Sequence, residues 1–381
     1  MSSMPWDRLQ AAASTALAPT LGPVEVHLGE RLPSSERAMV VRAVARDTVG
    51  ADHAVVLKAP TGSGEGSLRE EAALTLAAKQ GLAGVVRLLG VSADPPLLVL
   101  ADLGGGPTLA DRLLGSDPAA ADTAVLAWAG AVGGMQAATA RSRPAFAAGL
   151  EALSALGVPA VDTTAGAVAE AAAVLARDLP RLGVIPSVAA LAELRGLAGD
   201  LDVSGPGAAG ALVPGDTCPS NAVETDDGLV LLDFEGAEYR HLAWEAAYLT
   251  VPWPSCWCSW RLPDGLITRA LQRWQQTLAP AAPVVTSAGF RDDLARASIG
   301  WVFISAGWFL AAALDGDPPP LDPARRAVIP TRRALLQHRL ALAAEYDTTV
   351  LPALRKLASQ SQQAAVGLWG PHPLPLATAF R

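Results

Sequence analysis

Between residues 23 and 60 apolar and polar side chains alternate, and only short polar clusters interrupt the alternation. "VEVHLGERL", "AMVVRAVA" and "HAVVLKAP" therefore predict three strands, joined by "PSSER" and "RDTVGAD". In the third, a period of two puts Val56 and Lys58 on one face and Val55 and Leu57 on the other. The Gly-rich "TGSGEGS" then leads into "LREEAALTLAAKQG", a helical pattern closed by Gly81. "VVRLLGV" and "PLLVLADL" read as two more strands, so residues 1–103 predict a small antiparallel sheet with one helix.

From "GGGPTLADRLLG" onward the period becomes helical. Long Ala/Leu stretches at 121–140, 165–179, 266–279, 291–314 and 331–358 predict helices, and "GLAGDLDVSGPGAAGAL" at 196–212 reads as a linker. The exception is 221–234, where "NAVET" and "LVLLDF" flank "DDG". Asp227-Gly228 is a strong hairpin signal, because both central residues of such a turn need positive φ. That turn would pair Asp226 with Leu229, Val223 with Leu232 and Ala222 with Asp233, folding Asp233 back beside Asn221. Asp216 arrives on the loop "VPGDTCPSN", which Gly215 and Pro219 keep from becoming helix. A carboxylate and an amide oxygen at the end of a hairpin, with a second carboxylate on the incoming loop, suit Mg2+. That ion takes few oxygen ligands from protein and the rest from phosphate and water. The chain thus reads as α+β in two lobes, 1–103 and a mainly helical 104–381.

Composition narrows the partners. The 381 residues are 51% hydrophobic, enough for two sizeable cores. A net charge of −8 without any Lys/Arg run argues against a nucleic-acid or anionic-membrane partner. Three cysteines suit a reducing cytoplasm rather than a disulfide scaffold, and no His lies at ligand spacing from the Cys256-x-Cys258 pair. "MSSMPWDRLQ" has polar and acidic residues where a signal peptide would be apolar, and the wealth of Ala, Gly and Pro is associated with high-GC bacterial genomes. The uncharged "SIGWVFISAGWFLAAAL", 298–314, falls slightly short of the ~20 residues of a membrane span and reads as a buried helix. Gly62-x-Gly64-x-Gly66 lacks both the Lys-Ser/Thr of a Walker loop and the third spacing of a dinucleotide fingerprint, so it reads as a linker.

"VVLK", "REEAALTLA", "LLVLADLGGGPTLADRLL", "GDTCPSN" and "LLDFE", in that order over roughly residues 23–250, resemble the aminoglycoside phosphotransferase family of small-molecule kinases, which have a protein-kinase-like fold. The resemblance implies ATP and Mg2+ as cofactors and phosphoryl transfer to a hydroxyl of a sugar, nucleoside or aminoglycoside-like antibiotic. It implies that Lys58 contacts the α/β-phosphates and that Glu70, or else Glu71, holds it in place. Asp233 and Asn221 would bind Mg2+, and Asp216 would orient the acceptor hydroxyl and take its proton late. Backbone at Leu100, Asp102 and Leu103 would meet adenine, while Ser34 and Ser35 would cover the phosphates. Pro214 stands where the family usually has histidine, which leaves open a catalytically impaired, nucleotide-binding regulatory or scaffold protein of the same fold.

Four of the ten tryptophans, Trp244, Trp253, Trp257 and Trp260, follow the hairpin closely. In the family the acceptor site is built after that point, and indole faces suit a sugar ring or nucleobase better than a polycation. Packing into a core is the alternative. Glu235, Glu238, His241, Glu245 and Arg261 are the polar candidates for acceptor contacts beside Trp244 and Trp257.

Overall fold

The N-terminal alternation becomes one antiparallel sheet in the order β1–β2–β3–β5–β4: Val24–Leu32, Ala38–Asp47, Asp52–Pro60, Pro96–Ala101 and Leu88–Ala93. This computed structural model describes residues 6–33, 37–61, 64–154, 163–205, 209–319 and 328–381. Ser34 and Ser35 lie outside the described residues. In β3, Val55 and Leu57 are buried while Val56 and Lys58 share the opposite face, as the period of two requires. Helix α2 (Glu65–Lys79) starts three residues before the predicted "LREE", behind a left-handed Gly64.

A second helix, α1 (Trp6–Leu21), belongs to this lobe and was not predicted from the sequence. It buries Leu9, Ala13, Ala16 and Leu17, one face of a helix, against β1 and β4. The contact is tight at Gly90, where a Cβ would lie 2.2 Å from the Ala16 carbonyl oxygen. Val26, Val41, Val55, Leu57 and Val99 complete this first core.

Among the described residues, the second lobe is built from α3 (Leu109–Leu114), α4 (Pro118–Thr139), α5 (Arg143–Ser154), α6 (Thr163–Asp178) and α7 (Val188–Asp200), followed by two short sheets and five further helices. These are α8 (Leu242–Thr250), α9 (Asp264–Leu278), α10 (Ala288–Leu314), α11 (Arg332–Glu345) and α12 (Pro352–Trp369). The predicted helix at 331–358 is two helices, because Leu351 adopts φ 52° and Pro352 starts a new one. The 196–212 linker is shorter than expected, since α7 runs to Asp200 and a strand begins at Gly210. Helix α10 is long and apolar enough to cross a membrane, but 67% of its most apolar window is buried inside the fold, against α6, α8 and α11.

Strand β6 (Gly210–Val213) pairs with β9 (Glu238–His241), and β7 (Ala222–Thr225) with β8 (Gly228–Leu231). The hairpin forms, but its register differs from the expected one: Ala222 faces Leu231, Val223 faces Val230 and Thr225 faces Gly228. Asp226-Asp227 make the turn, and Gly228, with φ 116°, opens β8. Contacts outside the hairpin pin this register, for Leu231 N–H donates to Gly84 and Val86 N–H donates to the Leu231 carbonyl. A two-residue shift keeps every side chain on its expected face. In the observed register Asn221 lies across from Leu232, whose N–H donates to its carbonyl at 3.0 Å, so Asn221 remains within one residue of Asp233.

Candidate active site

Lys58 reaches from the sheet into the gap between the lobes. Its Nζ lies 2.6 Å from Glu70 Oε2 on α2 and 2.6 Å from Asp233 Oδ1 beyond β8. Burial alone would lower the lysine pKa, but the two carboxylates outweigh it and the net shift is upward, so the ammonium stays charged. Glu70 is fully buried, which pushes its pKa up, while Lys58 pulls it back. Its Oε1 also accepts the Phe234 N–H at 3.3 Å, so one carboxylate ties α2 to both Lys58 and the Asp233-Phe234 turn. Glu71, the alternative partner, makes no such pairing among the described contacts. Asp233 itself has φ 66°, a left-handed conformation unusual for a residue with a side chain.

Gly215 delivers Asp216 to the same gap. Its φ is 89°, and a Cβ there would lie 2.1 Å from the Gly236 carbonyl oxygen, so the loop and the segment after Asp233 touch backbone to backbone. Asp216 Oδ1 accepts the Ser255 hydroxyl at 2.7 Å, and Asn221 Nδ2 donates to the Asp216 carbonyl at 3.1 Å. Burial raises the Asp216 pKa to about 6, against the Ser255 hydrogen bond, which lowers it. Below the loop, Thr217 donates to Glu245 at 2.7 Å, and Arg240 pairs with both Glu245 and Glu238.

Of these groups Lys58, Asp233, Gly215, Asp216, Ser255 and Arg240 line a cleft of about 740 Å³. From the first lobe and the segment after β8 its lining takes Arg37, Lys58, Glu65, Gly66, Asp233 and Glu235; from the second lobe it takes Thr164, Ala167, Asp216, Arg240, Ser255, Trp301, Ile304 and Trp308. Glu235 is thus in the cleft, paired with Arg37 at 2.5 Å. Of the Trp-rich segment only Ser255 is; its tryptophans are not. Trp244, Trp253 and Trp260 are 2%, 0% and 0% exposed, and half-buried Trp257 packs edge-on to Trp260 at 6.1 Å. Proline-punctuated backbone can therefore fill a core without forming a helix. Trp253 meets Trp128, and Trp260 Nε1 donates to the Val328 carbonyl. Glu238 and Glu245 are sequestered by Arg240, His241 caps α8 by accepting the Ala243 N–H, and Arg261 is exposed with its backbone paired to Pro375 and Ala377. Leu100, Asp102 and Leu103 also lie outside the cleft lining; Leu100 is buried, and Asp102 accepts from Arg42 and from the Gly104 N–H.

Sequence reasoning missed Ser255, Arg240, Thr164, Trp301 and Trp308. Only the last pair carried a signal, a spacing of seven that places both indoles on one face of a helix. The expectation of unpaired thiols is also corrected, because Cys218, in the loop between Asp216 and Asn221, forms a disulfide with Cys256, next to Ser255. Loop folding brings together residues 38 positions apart, which spacing could not foretell.

The donor set suits a hard cation. Asp233 keeps a third of its side chain exposed beside Lys58, and Asn221 lies at the entrance of β7 with its amide nitrogen engaged by the Asp216 carbonyl and its oxygen accepting only a long 3.4 Å bond from Ser220, which leaves that oxygen a lone pair of the right ligand type.

No protein-family model matches the chain, and no curated protein matches its sequence. Solved structures do. Choline kinase from Cryptosporidium parvum superposes with a TM-score of 0.51 at 9% identity, over 88% of this chain and 93% of that one. A choline/ethanolamine kinase family protein from Mesorhizobium loti gives 0.45 at 16% identity, over 92% and 99%. A macrolide 2'-phosphotransferase from Brachybacterium faecium gives 0.44 at 18%, over 89% and 97%. The chain has the protein-kinase-like fold, which it shares with the Cryptosporidium parvum choline kinase.

Proposed function

We propose that this protein is an ATP-dependent phosphotransferase that moves the γ-phosphoryl group to a hydroxyl of a small molecule. The observation that carries the reading is Lys58 bonded at once to Glu70 and Asp233, with Asp216 across the same cleft. Phosphoryl transfer passes through a loose transition state, so a site works mainly by positioning and by neutralising charge. Lys58 supplies a fixed positive charge for the phosphates, and Glu70 prevents it from swinging away. Asp233 and Asn221 would hold Mg2+, which when bound screens the phosphate charge. Asp216 orients the acceptor hydroxyl; as its oxygen bonds to the γ-phosphorus and the bond to the ADP oxygen breaks, its proton passes to Asp216.

Trp301, Ile304, Trp308 and Ala167 give the acceptor end of the cleft an apolar, partly aromatic wall. Such a wall suits a flat or ring-shaped acceptor, a sugar or nucleoside, better than a polycation. Dependence on ATP fits an intracellular site of action.

The test is phosphorus NMR, or a coupled ADP assay, across a broad panel of hydroxylated compounds. Acceptor-dependent ADP with a new phosphate ester is the expected result. Tight nucleotide binding without acceptor-dependent ADP anywhere in the panel would instead favour a nucleotide-binding regulator, the alternative that Pro214 raises.

A further inference from the structure

Ser255 lies on a segment held from several sides. Arg339, buried, donates to the Pro254 carbonyl at 3.1 Å and to Ser259 Oγ at 2.6 Å, and Ser259 in turn donates to the Pro252 carbonyl. The residue after Ser255 is Cys256, bonded to Cys218 two positions beyond Asp216. The segment and the catalytic loop are therefore tied covalently on one side of the Ser255–Asp216 hydrogen bond. On the other side Tyr248, fully buried, places its hydroxyl 2.8 Å from Ser255 Oγ and 3.3 Å from the Gly215 carbonyl. An ionised carboxylate only accepts, so the single Ser255 hydrogen goes to Asp216, and the single Tyr248 hydrogen is shared between Ser255 Oγ, the nearer acceptor, and the Gly215 carbonyl. The direction of the chain Tyr248 to Ser255 to Asp216 is then set, and it ends on Oδ1.

We propose that Ser255 is the positioning residue for Asp216: held by Tyr248, its hydroxyl fixes the carboxylate that receives the acceptor proton. Pro214, whose side chain has no donor, cannot do this from within the loop. The inference rests on the phosphotransferase reading for its kinetic consequence, but not for its geometry. With Oδ1 engaged, Oδ2 meets the acceptor hydroxyl. A carboxylate free to rotate would spend part of its time out of line, which lowers turnover while substrate binding is unaffected.

The experiment compares Ser255→Ala, Ser255→Thr and wild type by steady-state kinetics, nucleotide calorimetry, melting temperature and crystal structure. Ser255→Ala should lower kcat by about 10- to 100-fold, the scale of a misplaced catalytic group. The KM values and nucleotide affinity should stay within about twofold. Ser255→Thr, which keeps the hydroxyl, should recover most of the rate. A Ser255→Ala enzyme with wild-type kcat, a parallel rise in KM, or a threonine variant as damaged as the alanine one would overturn the proposal. The crystal structures decide independently of turnover: Asp216 should leave its position in Ser255→Ala and regain it in Ser255→Thr, and an unmoved carboxylate refutes the role. A wild type without phosphotransfer would remove the kinase reading and leave this structural comparison standing.

Discussion

Asp216 and Asp233 face one cleft with different surroundings, and single substitutions should separate their work. Asp233 is bonded to Lys58 at the phosphate end, so Asp233→Ala should abolish magnesium-dependent nucleotide affinity in a calorimetric titration. Asp216→Asn should bind nucleotide almost as well as wild type while turnover collapses; equal binding losses would contradict the division. Acidity gives a second handle. Burial holds the Asp216 carboxyl at about 6, above its usual value near 3.8, and the base form is the one that accepts a proton. The rate should therefore fall as pH drops through about 6, and an acid limb near pH 4 would argue that Asp216 is not the base. The same shift favours the folded state as pH falls through that range and withdraws this contribution as pH rises, since the native carboxyl holds its proton more tightly than the unfolded one.

Among elements, helix α10 is buried as the sequence suggested but also turns Trp301 and Trp308 to the cleft, while the tryptophans of 252–260 take the core alternative and leave only Ser255 there. Trp253 and Trp260 are sealed in the core, whereas Trp308 on α10 is 41% exposed in the cleft lining. Trp308→Ala should raise the acceptor KM with little change in melting temperature or nucleotide affinity. Trp253→Ala should cost roughly 3–5 kcal/mol of stability, as large-to-small core changes do, and degrade every kinetic constant together. Thermal melts alongside acceptor titrations distinguish the two, and the reverse pattern would restore the Trp-rich segment as the acceptor wall. The hairpin carries a related lesson. Its existence and its faces followed from alternation and from "DDG", but its register depended on Gly84 and Val86, more than 130 residues away from β8. Local pattern encodes which face a side chain takes; it does not encode which distant backbone will claim a strand's hydrogen bonds.

For the whole molecule, the Lys58–Glu70 pairing was implied by the family resemblance, the reach of Lys58 to Asp233 was not foreseen, and the two-lobe architecture was legible in the change from alternating to helical period. Helix α1 was not, since "WDRLQAAASTALAPTL" is rich in small residues whose helical face shows weakly until β4 is placed beside it. The tryptophan cluster misled for a different reason: burial of an indole depends on neighbours such as Trp128 and Val328, contributed from elsewhere in the chain. Ser255 and Arg240 left no trace because a serine in a loop and an arginine in a short strand acquire roles only through the residues they meet.

The most direct test of the account is a structure of the protein with Mg2+ and a non-hydrolysable ATP analogue. The metal should sit on Asp233 and Asn221, Lys58 on the phosphates, and the γ-phosphate should face Asp216 across the cleft. A nucleotide bound elsewhere, or one bound here with its γ-phosphate turned away from Asp216, would contradict it.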